Sequence, residues 1–237
     1  MPAVIGLGGG WPAILRGVIG PWPRAGLVVT VALYAVAMAY LESAVVVYLR
    51  EALGVPTGDV FPIDLESELS GRLGWIEVGR EAATLVMIGA VGWILGRSGL
   101  ERLAWAAVVF GTWDIGYYCW LWVFSGWPES LATWDLLFLI PVPWAGPVWA
   151  PMAVSAALIG FGLALAGRYG AGMTARAGWL TIGGLVLGGL VVIVSFTLNA
   201  AVVLEPSIPT DFAWPLFALG MGIGALAAMA ILRSAAR

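Results

Sequence analysis

Apolar runs of about 18 residues or more recur along this chain, and no other feature constrains its fold as strongly. In hydrocarbon a backbone must satisfy its own N–H and C=O groups, which leaves helices and closed barrels. The runs are continuous rather than alternating in polarity, so helices are predicted. They fall at about 25–48, 75–96, 103–125, 148–167, 178–204 and 212–232. The expected fold is all-α: a polytopic integral membrane protein with a bundle of six transmembrane helices. Residues 1–237 then form a single transmembrane domain, with outer loops at 50–74 and 126–146. Neither loop is long enough to fold alone. Nucleotide-driven pumps, kinases and nucleic-acid binders are therefore excluded, and the lipid bilayer is the first partner.

Arginine sets the direction of the crossings. With six helices, Arg16, Arg24, Arg97, Arg102, Arg168, Arg176, Arg233 and Arg237 all fall on one side, expected to be the cytoplasm. Only Arg50, Arg72 and Arg80 do not. Of the acids, Glu101 alone belongs to that side. Tryptophans agree, with Trp22, Trp93, Trp105 and Trp179 as an inner belt and Trp75, Trp122, Trp127, Trp144 and Trp214 as an outer one. The expected location is a cell inner (plasma) membrane, with both termini cytoplasmic.

Absent residue types narrow the chemistry. The chain has no histidine, which removes bis-His haem, His-ligated zinc and imidazole bases. It has no lysine, which removes a retinal Schiff base and a Ser–Lys dyad. Its one cysteine, Cys119, has no partner for a disulfide and reads as a packing residue. No motif specifies a metal or a cofactor. The acids Asp59, Asp64, Glu66 and Glu68 lack EF-hand spacing and read as a solvated loop. The motif Thr-Trp-Asp occurs at 112–114 and 133–135, but the Gly-x-Gly-Asp pattern of intramembrane aspartyl proteases is missing.

Two segments fit none of the six helices. Residues 1–23 carry Trp11, Ile14, Leu15, Val18 and Ile19 on one helical face, which predicts an interfacial helix rather than a signal peptide. In 126–146 the apolar core Leu136 to Ile140 is too short to span, and Pro141 and Pro143 end any helix. A helix from near Pro128 is predicted, lying on or dipping into the outer leaflet. It reads as a structural hairpin or as a re-entrant lid carrying Trp134, Asp135 and Trp144. The pairs Gly184/Gly188 and Gly220/Gly224 predict close helix packing.

The candidate site comes from charge inside the membrane. Asp114 sits roughly 16 Å below the outer end of its helix, with Tyr117 and Tyr118 on the same face. Glu77, Arg80, Glu81 and Thr84 share a face of the second helix, with Glu81 roughly 9 Å below its outer end, and the first brings Glu42 to a depth similar to that of Glu81. Lipid-facing charge is costly, so these faces are expected to converge. Four carboxylates against one arginine leave an acidic, outward-facing pocket, with Tyr117 and Tyr118 lining it. The alternative is a buried Arg80 ion pair that only fixes helix register. The inner halves of the helices are apolar and read as closed.

Three functions are compatible with this pattern. The first is a binding or transport protein for a small cation or protonatable solute. The second is a non-catalytic subunit of a larger membrane complex, with partner subunits on its polar faces. The third is a membrane-embedded enzyme that works through carboxylates.

Overall fold

The computed structural model describes residues 23–54, 72–198 and 211–236. The interfacial helix expected within 1–23 and the acidic stretch Asp59–Glu68 lie outside the described residues. Six helices run in the order α1 (Ala25–Leu53), α2 (Arg72–Leu95), α3 (Gly99–Ser125), α4 (Trp149–Gly170), α5 (Trp179–Thr197) and α6 (Trp214–Ser234). Strands β1 (Trp134–Phe138) and β2 (Trp144–Pro147) lie between α3 and α4. All helices but α3 are long and apolar enough to cross a bilayer. The chain is a multi-pass helical membrane protein in contact with lipid.

Local chemistry accounts for the helix ends. Ser98 caps α3 by accepting from the Glu101 N–H at 3.3 Å, and Glu101 accepts from the Arg97 N–H at 2.8 Å. Gly54 and Gly126 end α1 and α3 in left-handed conformations that suit glycine.

The 27-residue α3 is the central post. α1, α2 and α4 each pack on it, while α5 and α6 pack chiefly on one another. The α3–α4 seam is close because a Cβ on Gly111 would strike the Ser155 carbonyl and one on Gly162 the Ala104 carbonyl. These contacts make α3 and α4 antiparallel, and the same holds for α2 on α3 and α5 on α6. α1 runs parallel to α3, since a Cβ on Gly116 would meet Ala39 and Arg50 lies over Trp127, so Arg24, Arg97, Arg102, Arg168, Arg176 and Arg233 gather at one end of the bundle. There the α4–α5 turn pairs with the chain after α6: Thr174 bridges Ala236, and the Arg176 N–H donates to Ser234 Oγ at 3.0 Å. The Arg102 guanidinium lies 3.5 Å from the centre of the Trp93 ring at that end.

The helix expected from Pro128 does not form. Residues 126–133 are irregular and lead into an antiparallel hairpin, in which Trp134 pairs with Pro147 and Leu136 with Ala145, with a bulge between Leu136 and Phe138. The ladder gives the backbone its partners across Pro141 and Pro143, where a helix would lose them. The hairpin packs at the end opposite the arginines. Phe138 reaches the core around Trp113, at 6.3 Å between ring centres. Trp134 and Trp144 join Phe196, Phe212 and Phe217 in an aromatic cluster.

The small-residue motifs close α5 on α6 within the chain. A Cβ on Gly188 would lie 2.6 Å from the Gly224 nitrogen. Gly188→Ala is expected to lower stability by about 1–3 kcal/mol through overpacking. Gly183→Ala, where a Cβ meets nothing within 4 Å, is expected to be neutral or slightly stabilising. Thermal unfolding of both variants in mild detergent checks this opposite response.

Candidate functional site

Three groups of polar side chains bear on a candidate site. The first joins α1 to α2. Arg80 forms an ion pair with Glu42 through Nη1, while its Nε and Nη2 each reach Glu77 Oε2 at 2.8 Å. Thr84 Oγ1 donates to the other Glu42 oxygen at 3.1 Å. One guanidinium thus ties two carboxylates, and its fork geometry suits that role. Glu81, one residue on, faces the hairpin instead. Both its oxygens accept from the Leu139 N–H at 3.0 Å, which fixes the tip of β1 to α2.

The second group seals α3 against the hairpin. The Tyr118 hydroxyl donates to Asp135 Oδ2 at 3.0 Å, and both residues are buried. Tyr117 stacks edge-on against Tyr118, with ring centres 5.1 Å apart. The Tyr117 carbonyl accepts from Ser43 Oγ of α1 at 3.0 Å. Trp127 is almost wholly enclosed beside Tyr118, and Arg50 lies 5.0 Å from its ring centre. Burial pushes the Asp135 carboxyl up to about 6, against the opposing pull of Arg50, the Tyr118 hydroxyl and the Leu136 backbone.

The third group is Asp114 with Ser155. Asp114 is midway along α3 and buried, and its Oδ2 accepts from Ser155 Oγ of α4 at 2.8 Å. No other hydrogen bond reaches its carboxylate among the described residues. Asp114 also lines a cavity of about 810 Å³ between the α3–α4 pair and the α5–α6 pair. The cavity runs from Phe138 and Trp144 of the hairpin to Leu103 and Leu232 near the arginine end. Among the described residues Asp114 is the only ionisable one on its wall.

The structure therefore separates residues that the sequence reading gathers into one pocket. Glu42, Glu77 and Arg80 form one network, and Glu81 meets the hairpin. Tyr117, Tyr118 and Asp135 form a plug beside Asp114. Of the residues assigned to a lid, Trp144 borders the cavity and Trp134 packs on Phe212 at 6.2 Å between ring centres. The halves of the helices nearer the arginine end are apolar, and a half-open cleft remains between the α3–α4 pair and the α5–α6 pair. Ala157, Gly160, Ala164, Gly189, Ala225 and Ala228 line it and are too small to fill it. Ser155 escaped the sequence reading, although it is the only hydroxyl of α4 between Trp149 and Arg168. Among the described residues no three acidic or cysteine side chains cluster to hold a metal ion.

No family model matches the chain, and no curated protein or solved structure is significantly similar to it.

Proposed function

We propose that the chain is an inner-membrane binding or transport protein for a cation or protonatable small solute. In this reading all six helices cross the bilayer and both termini are cytoplasmic. The gathering of six arginines at one end of the bundle supports that orientation. The hairpin then covers the outer end of the site, and Asp114 is the residue that meets the solute. The observation that carries the reading is the position of Asp114. It stands in mid-helix on the wall of an apolar cavity, with one carboxylate oxygen uncommitted. Intramembrane carboxylates face protein or wet interiors and mark ion and proton paths. The Glu42–Arg80–Glu77 network and the Glu81–Leu139 contact hold the surrounding elements in place.

The test is thermal stabilisation of the purified chain and of Asp114→Asn by a panel of alkali and alkaline-earth chlorides and organic amines. Measurements at mildly acidic and mildly alkaline pH separate proton from cation effects. A ligand at about a hundred times its Kd adds about 2.7 kcal/mol of stability. Some members are expected to stabilise the parent and not Asp114→Asn, whose amide keeps the Ser155 bond but lacks the charge. Equal responses of the two proteins, or none from the parent, would remove Asp114 from any such role.

A further inference from the structure

We propose that the solute held in this cavity is a tertiary or quaternary ammonium ion with apolar substituents, with its charge against Asp114. This rests on the reading of Asp114 as the solute-binding group and adds the chemical class.

The first support is the mismatch between the one charge and its surroundings. Asp114 Oδ2 accepts from Ser155, no other hydrogen bond reaches this carboxylate among the described residues, and the rest of the cavity wall is almost wholly apolar. An inorganic cation needs a shell of oxygen ligands, about six to eight for calcium. The wall offers a single carboxylate. A primary ammonium brings three N–H donors and would leave two unpaired. A tertiary ammonium brings one and a quaternary none, so either matches a site with one acceptor.

The second support is aromatic. Phe110, one turn before Asp114 on α3, lines the cavity together with Phe138, Trp144 and Phe196. The Phe138 and Trp144 ring centres lie 5.4 Å apart, and the Trp144 and Phe196 rings stack at 6.5 Å. They form a continuous wall at the hairpin end. Aromatic faces carry negative potential and attract alkylated cations, tryptophan most strongly. Among the described residues the Trp144 indole N–H has no hydrogen-bond partner, and the ring sits in the wall without a polar tether there. The third support is size. A cavity of about 810 Å³ falls within the range of about 300–1,000 Å³ typical of small-molecule sites. An alkali ion would leave most of it empty.

The experiment is equilibrium binding of radiolabelled benzyltriethylammonium to the full chain in lipid nanodiscs, with empty nanodiscs as the partition control. Saturable binding is expected, undisturbed by excess potassium or magnesium chloride. Trp144→Leu should weaken it by about tenfold. Asp114→Asn should weaken it at least as much, and Asp114→Glu should retain it. If Asp114→Asn does not fold, Trp144→Leu and Asp114→Glu carry the comparison. Displacement by the inorganic salts, or Asp114-dependent stabilisation by salts without ammonium binding, would overturn the ammonium assignment and leave the cation reading standing. Binding unaffected by every variant would overturn it as partition. Failure of every cation to show Asp114 dependence would remove both.

Discussion

Arg80→Met is expected to destabilise the protein by about 3–5 kcal/mol, the cost of leaving buried carboxylates without their counter-charge. Arg80 is the cation for Glu42 and Glu77 together, and all three side chains are largely enclosed. Methionine fills much of the same volume but leaves two carboxylates facing each other, with only the Thr84 hydroxyl as donor to Glu42. The effect should also be structural. α1 and α2 each pack on α3 and meet one another mainly through these side chains. Arg80→Lys should fall between parent and methionine, because an ammonium lacks the fork that reaches two acids. Adding Glu42→Gln and Glu77→Gln to Arg80→Met should recover most of the loss by removing the stranded charge. Thermal unfolding of the series in mild detergent checks it. A loss under about 1 kcal/mol for Arg80→Met would mean that the network is solvated and worth no more than a surface pair.

The helices were legible because each is a long apolar run, and spacing told which charged residues share a face. Glu77, Arg80, Glu81 and Thr84 do share one side of α2. Spacing does not tell what lies opposite that side. Arg80 meets α1 and Glu81 meets the hairpin, although they are adjacent in sequence. Asp114 faces α4 rather than the α1–α2 network, because Gly111 and Gly162 bring α4 close to that face of α3. The hairpin was hidden for a different reason. Leu136 to Ile140 is a continuous apolar run, which suits a short helix as well as a buried strand. Its partner strand, Trp144–Pro147, carries a glycine and a proline and has little strand character of its own. What places it is a close approach, since a Cβ on Gly146 would lie 2.8 Å from the Phe196 ring. The cavity was illegible altogether. Ala and Gly on α4, α5 and α6 read equally as tight packing, and only their arrangement shows where they close a seam and where they leave space.

Asp135→Asn is expected to flatten the pH dependence of stability between about pH 4 and pH 6 and to leave the variant the more stable protein at alkaline pH. Burial between the hairpin and α3 raises the Asp135 carboxyl to about 6 in the folded protein. In the unfolded chain an aspartate ionises near pH 3.9 or so. Between those values the native state still holds a proton that the unfolded state has released. Stability therefore falls as pH rises through this window, and it is lowest above the folded value. A difference of about 2 pH units corresponds to about 3 kcal/mol. Arg50 and the Tyr118 hydroxyl pull against the effect of burial, and Asp114 lies within electrostatic reach, so the neighbouring charges are part of the response. Asparagine removes the titration and keeps an oxygen for the Tyr118 hydroxyl, so the plug between α3 and the hairpin should survive. The measurement is denaturation of parent and variant across this pH range. Subtracting one curve from the other cancels the acids common to both. Parallel curves would mean that Asp135 is open to water, and that the hairpin does not seal the outer side of α3.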